Sequence, residues 1–303
     1  MANFQTYDLL DLADNPRGVY DLANELLPEM AEAMGYDLGE TPNTEILQGL
    51  IGHIGPAKTL QDNIGLVQER LGTSADAVTI AADWAERSGC LDKTSRGFMH
   101  PGVDLSKIGF GAVVFNTGVG RWQERRAKQV IELKESGVKF QKAIIFAGNR
   151  AMAETEHPEV AEMAKAHGHP PTESDFASTY ITDILSANDI SADVVVIESA
   201  NGDEVFREGI KKKGFLYDWS ILAVGNAPST IQVAAQYRKA ACSLDLDDDS
   251  RFDATGRQLY MAGDSIAVAR QGESPATHQN PFTALGQIAR NALMLHEQSR
   301  SSV

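Results

Sequence analysis

Cysteine is nearly absent from this 303-residue chain: Cys90 and Cys242 are the whole complement. Two thiols far apart, neither in a Cys-x-x-Cys pair, exclude a disulfide framework and read as reduced thiols. Positive charge is scarce as well. Lys and Arg number 27 against 42 Asp and Glu, a formal net charge of −15. A field of that sign repels phosphate backbones and anionic lipid. Long apolar runs are missing too, since no segment approaches the ~20 residues that span a bilayer. The first eight residues, Met1 to Asp8, lack the basic start and apolar core of a signal peptide. The expectation is a cytoplasmic protein with no nucleic-acid partner and no membrane partner.

Several signatures are also absent. No repeat of fixed period and no low-complexity tract occurs. There is no G-x-G-x-x-G, no P-loop and no G-x-S-x-G elbow, so neither a standard dinucleotide fold nor a serine hydrolase is indicated. The acidic run Leu244 to Asp249 lacks the glycine and distal glutamate of an EF-hand loop and reads as a solvated turn. His157, His167 and His169 crowd one polar stretch without a convergent acid or cysteine partner, and His167 to Pro170 reads as an exposed loop.

What remains is a clear alternation. A hydrophobic content of 43% supports a substantial core. Residues 1–105 read as a helical region packing on that core. Tyr20 to Met30 recur at helical spacing after Asn15-Pro16, Ile51 to Leu71 do so around Gly55-Pro56, and Ser74 caps a helix through Trp84. His53 and Trp84 read as packing residues there. Residues 106–303 read as a three-layer, Rossmann-like α/β domain with a mostly parallel sheet. The predicted strands are Phe110–Phe115, Ala143–Ala147, Asp193–Glu198, Ile221–Val224 and a candidate at Gln258–Ala262. The helices between them are Arg121–Ser136, Thr172–Leu185, Glu204–Lys213 and Thr230–Ala241.

Each central strand ends in glycine and polar residues, the grammar of a parallel sheet whose carboxyl edge holds a small-molecule ligand. Asn116, Thr117, Gly118, Gly120 and Arg121 follow the first strand and open a helix, as an anion cradle or as a glycine-softened turn. Arg121 adds charge, whereas Arg125 and Arg126 read as a solvated helix face. Gly148, Asn149 and Arg150 end the second strand, where Asn and Arg can bond a sugar, phosphate or carboxylate. Glu173 sits in a helix start that capping alone explains. Glu198 ends the third strand, with Asn201 and Glu204 behind it. These two carboxylates, Glu173 and Glu198, suit ribose binding, a metal, or an acid/base pair. Gly225, Asn226, Ser229 and Thr230 end the fourth strand and cap the next helix. Asp264-Ser265 and His278 to Pro281 are polar segments expected to close over the site.

The order of these signals resembles the YdcF/SanA/ElyC-type family over roughly residues 108 to 270. The likeness rests on Ala147-Gly148-Asn149 after the second strand, Glu173 at a helix start, and Glu198 followed by Asn201 and Glu204. It ends with the capped turn Pro228-Ser229-Thr230. The resemblance implies a Rossmann-like fold and, through the family's cytoplasmic type, an S-adenosylmethionine-like ligand. The readings that follow are a transferase, a hydrolase of a nucleotide or sugar-phosphate, and a non-catalytic ligand sensor or interaction protein. A scaffold without any ligand stands beside them.

Overall fold

The computed structural model describes residues 27–37, 43–52, 60–87, 104–198, 205, 208, 209, 212, 221–226, 259–264, 268, 270 and 279–300. The sequence features before Leu27, at His53, and at 199–204, 227–241 and 244–249 lie outside the described residues, as do Ser265 and His278. By contact, the described residues fall into two units, one within 1–101 and 264–303, the other within 102–226 and 236–263.

The first unit is helical. Its helices are α1 (Leu27–Met34), α2 (Asn43–Ile51), α3 (Leu60–Leu71) and α4 (Ala75–Arg87). Met30, Ile46, Leu50, Val67, Ala81 and Trp84 are buried. Glu29 on α1 accepts from the Trp84 indole N–H at 3.1 Å and pairs with Arg87 at 2.7 Å, so Trp84 is a packing residue with a satisfied polar tip. Further along, Arg270 pairs with Asp83 and Glu86, each at 2.8 Å.

The second unit holds β1 (Gly109–Asn116), α5 (Gly120–Glu135), β2 (Lys139–Ala147), α6 (Pro158–His167), a helix α7, β3 (Ala192–Val196), β4 (Ile221–Asn226) and β5 (Leu259–Asp264). Helix α7 runs through Glu173–Phe176, a π segment Ala177–Ile181 and Thr182–Ser186. The strands form one sheet in the order β3-β2-β1-β4-β5, and β1 pairs parallel with β2 and β4, as β2 does with β3. This is the three-layer Rossmann-like arrangement that the alternation of elements predicts.

The strands form where they do because helices cover both sheet faces. Ala112 to Phe115, Ala143 to Ala147 and the whole of β4 are buried, so their apolar runs show no alternation. Strand β2 begins at Lys139 rather than Ala143, because Lys139, Phe140 and Lys142 already pair with Gly109, Phe110 and Ala112 of β1. Strand β3 stops at Val196, leaving Ile197 and Glu198 beyond its end. Register levels the carboxyl ends: Asn116 lies opposite Phe146, and Ala147 opposite Val196. With Val114 opposite Ala223, Gly225 and Asn226 come up beside Asn116.

Two helices differ from expectation. Helix α6 lies in what the sequence presents as a polar stretch, since only Val160, Met163 and Ala164 are buried on it. Its boundaries are nevertheless conventional: His157 caps it, Pro158 takes the first position, and Gly168 closes it at φ 75°. Helix α8 (Pro281–Arg300) packs on α2, α3 and α4, so residues 264–303 group with the helical unit and not with an α/β domain running from 106 to 303. Gln279 forms an isolated bridge with Val268, and Asn280 precedes the helix start. Asn280 Oδ1 accepts from the Phe282 and Thr283 N–H groups at 2.9 and 3.2 Å. No helix among the described residues is long and apolar enough to cross a membrane.

One contact in this unit admits a direct test. Helical Gly209 lies so close to the Phe146 ring that a Cβ there would collide with it. Gly209→Ala is expected to cost about 1–3 kcal/mol in urea unfolding through overpacking. Adding Phe146→Leu should recover part of that loss.

Candidate functional site

The carboxyl edge is built around a threonine. Thr117 follows β1, is buried, and ties itself to β2 by donating its N–H to the Phe146 carbonyl at 2.9 Å. Its hydroxyl oxygen accepts from the Gly148 N–H at 2.9 Å and its proton goes to Glu173 Oε2 at 2.7 Å. A hydroxyl can make both bonds at once, which fixes where its hydrogen points. Glu173 is only 7% exposed. It is brought there by a short antiparallel contact in which Ala151 pairs with Thr172, Met152 donates to the Pro171 carbonyl, and Glu173 donates to the Arg150 carbonyl. Thr172 and Asp175 form a reciprocal capping box at the same helix start.

Arg150 carries the network outward. Its Nε donates to Glu173 Oε1 at 2.7 Å, while Nη1 and Nη2 fork onto Glu156 at 2.7 and 3.0 Å. Glu156 also accepts from the N–H groups of Ala153 at 3.1 Å and Gly120 at 3.3 Å. The start of α5 therefore does receive an anion, one supplied by the chain itself. Gly120 is required there, because a Cβ would lie 2.8 Å from the His157 Cβ and 3.1 Å from the Met152 methyl. Burial pushes the Glu156 carboxyl upward, but the Arg150 fork and the two N–H groups outweigh it and hold the group below its ordinary range. His157 is fixed in one tautomer: Nδ1 accepts from the Glu159 N–H, so Nε2 carries the proton toward Glu124 Oε2, 3.1 Å away. It is a structural cap packed on Phe176 and Tyr180, whereas His167 and His169 are exposed.

Arg126 departs most from its sequence reading. It is 6% exposed, not part of a solvated face, because α5 buries Gln123, Arg126, Ala127, Val130 and Leu133 at helical spacing. Its Nε donates to Asn226 Oδ1 at 2.8 Å. Its Nη1 donates to the carbonyl and Oδ1 of Asn116 at 2.5 and 3.2 Å and to the Thr117 carbonyl at 3.3 Å. Burial pushes its pKa down to about 10, against the opposing influence of the Glu173 charge. Gln123 donates to the Gly118 carbonyl at 2.7 Å. Gln123 Oε1 and Asn226 Nδ2 are buried without a partner among the described residues.

The structure thus brings together Asn116, Thr117, Gly118, Gly120, Gly148, Arg150, Glu173 and Asn226 in one bonded edge, with Gly225 buried in β4 beside it. It does not bring in Arg121, which is exposed with its guanidinium 5.3 Å over the Trp122 ring, nor the exposed side chain of Asn149. Glu198 is exposed past β3, and with β2 between β3 and β1 it stands roughly 10 Å from the β1 end. The two carboxylates differ in their surroundings: Glu173 is buried and held by Thr117 and Arg150, and Glu198 is exposed. Asn201, Glu204, Ser229 and Thr230 lie outside the described residues. Among the described residues, no group of three or more His, Cys, Asp or Glu is gathered to hold a metal.

Sequence reasoning missed Arg126, Gln123 and Glu156. For Arg126 a signal existed, since it lies four and seven residues before Val130 and Leu133 on the buried stripe. Glu156 bonds Arg150 and Ala153 within its own loop, but its bond to the Gly120 N–H crosses 36 positions, which no local pattern encodes. No family model, curated protein or solved structure matches the chain.

Two tests address this network. Thr117→Val keeps the shape but strips a buried N–H and a buried carboxylate oxygen of their partner, and is expected to cost about 2–4 kcal/mol in chemical unfolding. Thr117→Ser should retain most of the stability. The depressed Glu156 carboxyl adds stability that is full above its unfolded value of about 4.3 and is lost as pH falls through its lower folded value. Stability measured from about pH 6 to pH 3 should therefore fall more steeply for the parent than for Glu156→Gln.

Proposed function

We propose that the α/β unit binds a small nucleotide-like ligand, of the S-adenosylmethionine type, at the carboxyl ends of β1, β2 and β4. The observation that carries this reading is the bonded edge joining Thr117, Gly148, Glu173 and Arg150 to Arg126 and Asn226. It lies where the chain, having built β2 and β3 on one side of β1, crosses to β4 on the other. Open parallel sheets bind ligands in the crevice at such a reversal. Gly118 carries no side chain to keep a ligand from the backbone there, and only the Arg126 guanidinium comes within 4 Å of where a Cβ would stand; the likeness to the YdcF/SanA/ElyC-type family supports the adenosyl class.

Glu173 acts as a positioning residue in this reading. Both of its oxygens already accept bonds, and Glu198 stands apart, so hydrolysis by a pair of carboxylates is the less favoured chemistry. Group transfer from a sulfonium needs alignment rather than a protonated acid, which keeps a transferase in view. Among the described residues no free acid/base stands near the switch, which suits the second reading, a ligand sensor without turnover.

Thermal unfolding with S-adenosylmethionine, S-adenosylhomocysteine, AMP and adenosine tests the binding claim. A true ligand at 100 times its Kd stabilises by about 2.7 kcal/mol. No shift with any of the four removes the reading. Mass spectrometry of the incubated ligand then separates turnover from binding alone.

A further inference from the structure

We infer that Arg126 and Asn226 form an oxyanion-recognition subsite between β1 and β4, which commits the ligand to carrying a phosphate or carboxylate group. This rests on the ligand-binding reading above. Arg126 is a buried cation whose hydrogen-bond acceptors are all neutral: Asn226 Oδ1, Asn116 O and Oδ1, and Thr117 O. Its Nη2 donates to no described residue. The Glu173 charge acts on it from a distance, but the Glu173 oxygens are held by Thr117 and Arg150.

The orientation of Asn226 follows from its neighbour. A guanidinium has only donors, so the amide must present Oδ1 to Arg126 Nε. That leaves Nδ2, in a side chain 3% exposed, with no acceptor. Asn226 therefore keeps buried N–H donors with no acceptor among the described residues, beside a guanidinium that carries a full positive charge. An oxyanion answers both needs together, with lone pairs for Nδ2 and Nη2 and a negative charge for the guanidinium. A neutral ligand would answer the amide and leave the charge. Phosphate and carboxylate share this chemistry, and matched ligands tell them apart.

The experiment is isothermal titration of the full chain with two pairs, AMP against adenosine and S-adenosylmethionine against decarboxylated S-adenosylmethionine. Each pair differs in the presence of the anionic group. In one pair the anionic member is expected to bind about tenfold more tightly or better, the worth of a charge-assisted hydrogen bond. The pair that shows it names the anion. Asn226→Asp keeps an oxygen on Arg126 Nε, gives the guanidinium a carboxylate and removes the Nδ2 donors. It should unfold at no lower temperature than the parent and lose the preference. If it fails to fold, Asn226→Ser keeps an acceptor, drops the NH2 and should also lose the preference. Equal affinities within both pairs, or a preference that survives in the folded variant, overturn the subsite. Binding of the members that lack the anion, without any preference, sinks the subsite alone, and no binding by any of the four sinks the ligand site with it.

Discussion

Because Glu173 is sealed from solvent, its charge has to be answered by the chain, and the two groups that answer it come from the ends of different strands. The Thr117 hydroxyl reaches it from β1 and the Arg150 guanidinium from the loop after β2. A buried carboxylate stripped of one such donor pays the desolvation of an ion without compensation. The two loops are thereby locked to the start of α7. The Gly148 N–H, the Gly120 N–H and the Glu156 carboxylate take their places in consequence, because each is bonded to Thr117 or to Arg150 or to a partner of theirs.

The edge contains two arginines in opposite electrostatic situations. Arg150 lies between two carboxylates, and its proton is held more tightly than usual by the Glu156 bond foremost, against burial. Arg126 meets only amide and carbonyl oxygens, and burial works against its charge. A fold needs a pair like the first to hold a loop in place. The second gives its donors to the Asn116 and Thr117 carbonyls and to two amide oxygens, and so leaves a buried charge with no carboxylate bonded to it. Local sequence rules fail at Arg126 in the manner expected of functional positions.

The elements that were legible are those buried on two faces. Val113 to Phe115, Ile144 to Phe146 and Ile221 to Val224 are apolar throughout, and their glycine-bearing ends mark where a parallel strand stops. Glu173 could be located as a helix start from Thr172 and Asp175, but its pairing with Thr117 spans 56 positions of sequence and no local pattern encodes it. Helix α6 stayed hidden because its buried stripe is a single turn wide, although Pro158 and Gly168 bracket it. The place of α8 was hidden for a different reason. An amphipathic helix declares that it needs a partner without saying which, and this one finds α2, α3 and α4.

The choice of amide at 226 sharpens the contrast between the two arginines. A carboxylate there could fork onto Arg126 as Glu156 does onto Arg150, closing the edge with no donor left over. An apolar residue would give up the Nε bond but strand no amide. Asparagine does neither: it satisfies one guanidinium donor and adds two of its own. Folding alone selects against that combination, since unpaired buried donors cost free energy and return none. Its presence at a chain reversal in a parallel sheet makes sense when the missing acceptor arrives from outside the chain.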